Sequence, residues 1–406
     1  MTIRVLALCT LLLSLALAAC SPPSAPAATS APATQKGDPY KIGVVVSITG
    51  PASSLGIPER DTVLMVRDQI NKNGGIKGLD GALHELQVVV EDDGSDTGKA
   101  VLAEKKLIEQ DKVVILIGSS GSPASLGMVD GATAAKIPMI SLASASQIVN
   151  PVKDRFWVFK TPQPTLPVNQ VQVDYLKAKG ITTIGSIGVN NAFGKDSRDG
   201  LTEAVKGTGI SIVADQVFQP GDKDFTAQLT KIKGLNPGAL VVHATPGEGA
   251  PLTVQARDLG FKVMLHNHGI GNADFINLAK DASNGVLFPI GKLLTAEALP
   301  DSDPQKKVLL QYVKDYTDYT KGQPRNTFGG HAWDALTLSV QALEKVGPDP
   351  SKIRDYLETV KNFVGITGVF NFSVSDHNGI FKESLVMVRI DNGKWVYVAP
   401  ADYANY

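Results

Sequence analysis

From Ile42 to Ile290 the chain alternates short apolar runs, rich in Val and Ile, with longer segments whose apolar positions recur at helical spacing. The runs "IGVVVSI" (42–48), "LQVVVE" (86–91), "VVILIG" (113–118), "PMISL" (138–142) and "FWVFK" (156–160) predict one series of strands. A second series follows in "TTIGSIG" (182–188), "SIVADQVF" (211–218), "ALVVHA" (239–244), "KVMLHN" (262–267) and "GVLFPI" (285–290). Between strands lie helices such as "RDTVLMVRDQINKNGG", where Val63, Val66 and Ile70 share a face and Gly74-Gly75 supplies the stop. Strands alternating with helices in this way form parallel sheets covered on both faces. Two comparable series therefore predict an α/β protein of two doubly wound, Rossmann-like lobes, since one core rarely grows to ten strands.

The pattern changes towards the end. "GGHAWDALTLSVQALEKVG" (329–347) and "PSKIRDYLETVKNF" (350–363) predict helices. "GVFNFS", "SLVMVRI" and "KWVYVA" then predict antiparallel strands joined by the turn formers "SDHNG" (375–379) and "DNG" (391–393). These late elements are expected to complete the two lobes.

The N-terminus reads differently. In "MTIRVLALCTLLLSLALAAC" a single early charge, Arg4, precedes a nearly unbroken apolar run from Val5 to Ala19. That run is too short for a comfortable membrane span and fits the apolar core of an export signal over residues 1–19. Its end, Leu17-Ala18-Ala19-Cys20, looks like a bacterial lipobox, in which the cysteine receives a lipid and becomes the mature N-terminus. The other cysteine, Cys9, lies inside the signal, so the mature body holds no disulfide and Cys20 serves as a membrane anchor. Residues 20–39, rich in Pro, Ala, Ser and Thr, read as a disordered tether.

Composition narrows the function. With 406 residues, 43% hydrophobic and 19% charged, the chain has a globular balance. Its 39 Lys and Arg against 40 Asp and Glu form no basic stripe, which excludes nucleic acid as a partner.

In doubly wound sheets ligands bind beyond the carboxyl ends of the strands. Two loops there are alike: "GSSGSPAS" (118–125) and "SLASAS" (141–146). Hydroxyls, small side chains that expose backbone N–H groups and a helix N-terminus together make a cradle for a carboxylate. Catalytic patterns are missing. "GSSGS" has the wrong glycine interval for a nucleophile elbow, "GIGNAD" is half of a dinucleotide fingerprint, and no phosphate loop is present, so neither an enzyme nor a cofactor is expected. His266 and His268 lack any companion cysteine, His-x-x-x-His or carboxylate cluster, so no metal is expected either.

"YKIGVVVSITGPASSLGIPERDTVLMVRDQINKNGGIKG", followed by "VVVEDDGSD", "IGSSGSPAS", "IPMISLASAS", "NNAFGKD", "GDKDFTAQL", "NADF" and "HAWDAL", resembles the branched-chain amino-acid (leucine/isoleucine/valine) type of periplasmic substrate-binding protein from about residue 40 onward. The resemblance implies two lobes joined by a three-strand hinge, with crossings near residues 162, 290 and 371. Lobe 1 then comprises 40–162 and 291–371, and lobe 2 comprises 163–290 and 372–406. It also implies a monomer that closes on a solute and delivers it to the membrane subunits of an ABC importer from the periplasm or cell surface.

Carried over by position, the carboxylate cradle falls on Ser122, Ala143, Ser144 and Ala145, with Leu55 and Glu59 on the opposite rim of lobe 1. Phe193 stands where an aromatic residue closes over the ligand, and Thr245 comes from lobe 2. His268 stands where amino-acid binders place the acidic residue that holds the substrate's ammonium. A neutral imidazole offers an amine only a hydrogen bond, so the departure predicts a carboxylate without an α-ammonium, such as an aromatic or short aliphatic acid. A branched-chain or other amino acid is the alternative solute, and the ligand-sensing module of a signalling system is the alternative of another class.

Overall fold

The computed structural model describes residues 35–406, so the predicted leader, Cys20 and most of the tether lie outside the described residues. The strands of the first half are β1 (Tyr40–Val46), the small ribbon β2 (Ile76–Lys77) and β3 (Leu83–His84), β4 (Leu86–Asp92), β5 (Ile115–Gly118), β6 (Met139–Ser141) and β7 (Val158–Lys160). The remainder are β8 (Thr183–Val189), β9 (Ser211–Phe218), β10 (Ala239–His243), β11 (Met264–His266), β12 (Leu287–Gly291), the ribbon β13 (Phe363–Val364) and β14 (Val369–Phe370), β15 (Leu385–Asp391) and β16 (Lys394–Val398).

One sheet has the order β4-β1-β5-β6-β7 and is wholly parallel. The other runs β16-β15-β12-β11-β10-β8-β9, parallel from β9 to β12 with an antiparallel hairpin, β15-β16, added beyond β12. Each parallel part therefore has the same doubly wound order: the second strand of its series lies outside the first, and the third, fourth and fifth follow on the other side. Such an order places a crevice beyond the carboxyl end of the first strand, here β1 and β8.

The inner strands of each sheet are buried on both faces, which explains why they read as continuous apolar runs rather than alternating ones. In β1 the side chains of Ile42, Val44 and Val46 enter one core and Val45 enters the other. In β10, Leu240 and Val242 face one core of the second sheet and Val241 the opposite one.

The helices are α1 (Ser53–Lys72), α2 (Thr97–Lys106), α3 (Ser122–Ala135), α4 (Thr165–Ala178), α5 (Ala192–Ala204), α6 (Thr226–Gly234), α7 (Pro246–Asp258), α8 (Ala273–Ala279), α9 (Lys306–Tyr319), α10 (Thr327–Val346) and α11 (Pro350–Thr359). Helices α1, α9, α10 and α11 bury their apolar faces in the core that takes Ile42 and Val44, although α9 to α11 follow β12 in the chain. The chain thus passes from the first sheet to the second after β7, returns after β12, and goes back before β15.

Two expectations need correction. "GVFNFS" does not join the C-terminal hairpin: Val369 and Phe370 pair with Val364 and Phe363 in a separate ribbon. Phe372 and Ile380 belong to the core of the first sheet, so the third passage comes after Ile380, later than residue 371. The physical reason is His377, which stacks on Phe159 at 4.1 Å between ring centroids and keeps the "SDHNG" turn against β7. Among the described residues no helix is long and apolar enough to cross a membrane.

Candidate functional site

The strand ends of both sheets converge on one cavity of about 380 Å³. From the first sheet come Ser47 and Leu55 after β1, Ser120 and Ser122 after β5, and Leu142, Ala143 and Ser144 after β6. From the second come Asn191 and Phe193 after β8, Thr245 and Glu248 after β10, and His268 and Gly269 after β11. Pro162 from the first interlobe passage, and Phe328 and His331 from α10, complete the wall.

Local chemistry fixes the serine loops. Ser122 opens α3, and Pro123 in its first turn suits that position because its missing N–H would have no helical partner. Ser122 Oγ accepts the Ala145 backbone N–H at 3.3 Å, and Ser141 Oγ accepts that of Ala143 at 3.0 Å. Among the described residues neither the Ser122 nor the Ser144 hydroxyl donates to a protein group, so both hydrogens are free for a guest.

Of the residues predicted from sequence, Ser122, Ala143, Ser144, Leu55, Phe193, Thr245 and His268 are brought together on the cavity wall. Ala145 is fully buried, with its N–H turned to Ser122, and does not line the cavity. Glu59 is also fully buried and does not form a rim: it lies behind Ser120, in hydrogen-bond contact with that residue's Oγ. The reason is its position on the inward face of α1, one turn beyond Leu55.

The two histidines of "HNH" separate. His266, at the end of β11, places Nε2 at 2.9 Å from Thr253 Oγ1 and packs edge-on to Phe275, away from the cavity. His268 faces the cavity, edge-on to Phe193 with ring centroids 5.7 Å apart. His331 is held in the same manner by Phe328, at 5.8 Å. Burial first, and then the charge of Lys160, push the His268 imidazole down to about 3. For His331 burial dominates, followed by His268 and Lys160, with the same result of about 3. Both rings are therefore neutral at ordinary pH, and none of their four nitrogens has a hydrogen-bond partner among the described residues. The anionic group on this wall is Glu248, whose Oε2 accepts the Thr245 hydroxyl at 2.8 Å. No group of three or more His, Cys, Asp or Glu side chains suited to a metal ion occurs among the described residues.

Sequence reasoning missed Ser120, Pro162, Glu248, Phe328 and His331. Glu248 had a signal, because it lies one turn into the helix that follows Thr245. His331 had none, because a histidine inside a long amphipathic helix reads as core.

A family model described as "Periplasmic binding protein" matches residues 39–394. The chain belongs to the periplasmic binding protein family. This periplasmic binding protein is 26% identical over 356 residues to the leucine-, isoleucine-, valine-, threonine-, and alanine-binding protein of Pseudomonas aeruginosa, covering 82% of this chain and 86% of that one. Its fold matches an extracellular ligand-binding receptor from Rhodopseudomonas palustris with a TM-score of 0.81 at 28% identity, over 89% of this chain and 99% of that one. It also matches the branched-chain amino acid transporter substrate binding protein of Streptococcus pneumoniae, solved with isoleucine, at a TM-score of 0.75 and 26% identity, over 89% and 100% of the two chains. The two doubly wound lobes described above are thus those of a type I periplasmic binding protein.

Proposed function

We propose that this chain is the extracytoplasmic solute-binding component of an ABC importer, and that its solute is a small aliphatic amino acid held between the lobes. The observation that carries the reading is the pairing of opposite chemistry across one cavity. Free hydroxyls of Ser122, at the N-terminus of α3, and of Ser144, after β6, suit a carboxylate, and Glu248 on the other sheet's side suits an ammonium. Leu55, Leu142, Phe193 and Phe328 supply the apolar remainder for an aliphatic side chain. The relatives named for branched-chain amino acids support the same choice.

The expectation of a solute without an amine rested chiefly on His268, with the likeness of "TGVFNFSVSDHNG" to aromatic-acid branches of the family beside it, and Glu248 weakens the main ground by putting a carboxylate on the same wall. One observation still favours that second reading: the neutral, unpartnered rings of His268 and His331 give an aromatic or short aliphatic acid an uncharged pocket. Calorimetry on protein stripped of solute by unfolding and refolding decides between them. Leucine, isoleucine or valine is expected to bind with a benzoate panel inert; binding of the acids alone overturns the amino-acid reading.

Export, lipid attachment at Cys20 and a monomeric state belong to the same proposal. Mass spectrometry of the membrane-extracted protein is expected to show a diacylated Cys20 at the mature N-terminus. Loss of uptake on deletion of the gene separates an importer component from a ligand sensor.

A further inference from the structure

Behind Ser122, the hydroxyls of Ser47, Ser119 and Ser125 around the serine loop 118–125 are committed to protein groups. Asp93 accepts from Ser47 Oγ at 2.7 Å, from the Ser95 N–H at 2.8 Å and from Ser119 Oγ. Ser125 Oγ donates to the Ser119 carbonyl at 2.8 Å. Ser120 differs from these: its Oγ accepts the Ser47 N–H at 3.0 Å and touches Glu59 Oε2, and the residue lines the cavity as Ser122 does. Glu59 is 0% exposed, and its other oxygen has no partner among the described residues.

A hydroxyl has one hydrogen and two lone pairs. If Glu59 is ionised, it takes the Ser120 hydrogen, and Ser120 shows the cavity only a lone pair, which repels a carboxylate. If Glu59 is the neutral acid, it donates to Ser120. Both lone pairs of Ser120 Oγ are then occupied, by Glu59 and by the Ser47 N–H, and its hydrogen points to the guest. We propose that Glu59 is a positioning residue of the carboxylate cradle: as the neutral acid it turns the Ser120 hydroxyl hydrogen into the cavity as a further donor to the solute.

Burial supports this protonation state, because a carboxylate with an unsatisfied oxygen is the costly form in a dry interior. Burial, opposed by the Ser120 contact and helped by the Asp93 charge, raises the Glu59 carboxyl well above the usual carboxylate range. The elements packed against α1 bring the titratable groups His331 and Asp334 on α10, Tyr312 and Tyr316 on α9, Tyr40 on β1, and Glu91 and Asp92 on β4; Arg60 and Asp61 adjoin Glu59 on its own helix. Asp93 is the one whose charge acts on Glu59. Solute carboxylate and Glu59 proton therefore bind together.

The inference rests on the reading that a carboxylate occupies the serine loops, and the test separates the two. Infrared difference spectra of the full protein, wild type minus Glu59→Gln at about pH 7, report the protonation state without any solute. A carboxylic-acid C=O band is expected, and carboxylate bands in its place overturn the proposal. Leucine and benzoate titrations follow from about pH 7 up to the highest pH at which the fold holds. With whichever probe binds, wild-type affinity is expected to fall by roughly 10-fold as pH rises, while Glu59→Gln, which keeps an N–H donor towards Ser120, holds the neutral-pH affinity throughout. Ser120→Ala is expected to bind about 10-fold more weakly at neutral pH and to lose the pH dependence as well. A Gln variant that retains the wild-type pH profile overturns the proposal. If neither probe binds the wild type, the solute reading fails, and the infrared band alone decides Glu59.

Discussion

Ser122 Oγ and the Ala145 backbone N–H meet at 3.3 Å, so the N-terminus of α3 and the loop after β6 are joined through the residue that faces the cavity. That bond occupies a lone pair of Ser122 and leaves its hydrogen to a guest. Substituting Ser122→Ala removes a donor to a charged group and is expected to weaken solute binding by roughly 10- to 100-fold. The fold is expected to hold, because Ala fits within the space of Ser. Calorimetry beside a thermal melt checks this: an unchanged Kd, or a loss of Kd that merely follows loss of folding, removes Ser122 from the cradle.

Glu248 distinguishes the two solute classes. Its Oε2 is held by the Thr245 hydroxyl at 2.8 Å, which aims the carboxylate along the cavity wall. Glu248→Gln keeps that hydrogen bond and removes the charge. Leucine affinity is expected to drop by roughly 10-fold or more, while an acid of the same size without the amine changes by less than about 2-fold. Equal losses for both ligands would mean that Glu248 shapes the pocket without reading charge.

The elements legible in the sequence were those whose physics is local. All ten strands of the two parallel series were present: inner strands such as β5 and β10 are wholly buried and read as unbroken apolar runs, and the half-exposed edge strand "SIVADQVF" still spans Ser211–Phe218 in both readings. Helix α9 was not among the predicted helices, although Leu309, Tyr312 and Tyr316 share one buried face. The two serine loops were legible from composition, since strand order brings them to one sheet edge. Phe328 and His331 were not, because α10 reaches the cavity only after the chain has returned from the second sheet. Glu59 was placed one layer too close to the ligand, because position along a helix says little about depth.

Gly56 sets how closely α1 approaches the loop after β1. A Cβ there would lie 2.2 Å from the Ser47 carbonyl oxygen and 2.3 Å from its carbon, both main-chain atoms that cannot swing aside. Gly56→Ala is expected to destabilise the fold by about 2–3 kcal/mol and to weaken binding, because moving Ser47 also moves the N–H that holds Ser120. Gly234→Ala is the control. It ends α6 with nothing within 4 Å of a new Cβ and is expected to be neutral or slightly stabilising. Urea midpoints of the two variants that match would refute the steric argument.

Buried neutral histidines make the protein sensitive to acid. Burial holds His243, His266, His268 and His331 each down to about 3. The unfolded chain protonates them near about 6.5, so their contribution to stability is complete above that pH and is lost as pH falls towards about 3. Asp334, raised by burial to about 7, and Glu104, raised by burial to about 8, have the opposite sign: their contribution is present in acid and fades as pH rises through those values. Glu59, raised by burial as well, shares that sign, so the effect of acid is read at a single imidazole and not from the sum. His243 is the cleanest probe, since neither of its ring nitrogens has a partner among the described residues and it does not line the cavity. His243→Leu is expected to leave stability at about pH 7 unchanged or higher, because an apolar side chain replaces an unpaired polar one. It is also expected to spare on the order of 2–3 kcal/mol of the loss between about pH 7 and 4.5. Urea unfolding at the two pH values measures both; a variant whose stability falls as steeply as the wild type's shows that His243 gains its proton without unfolding.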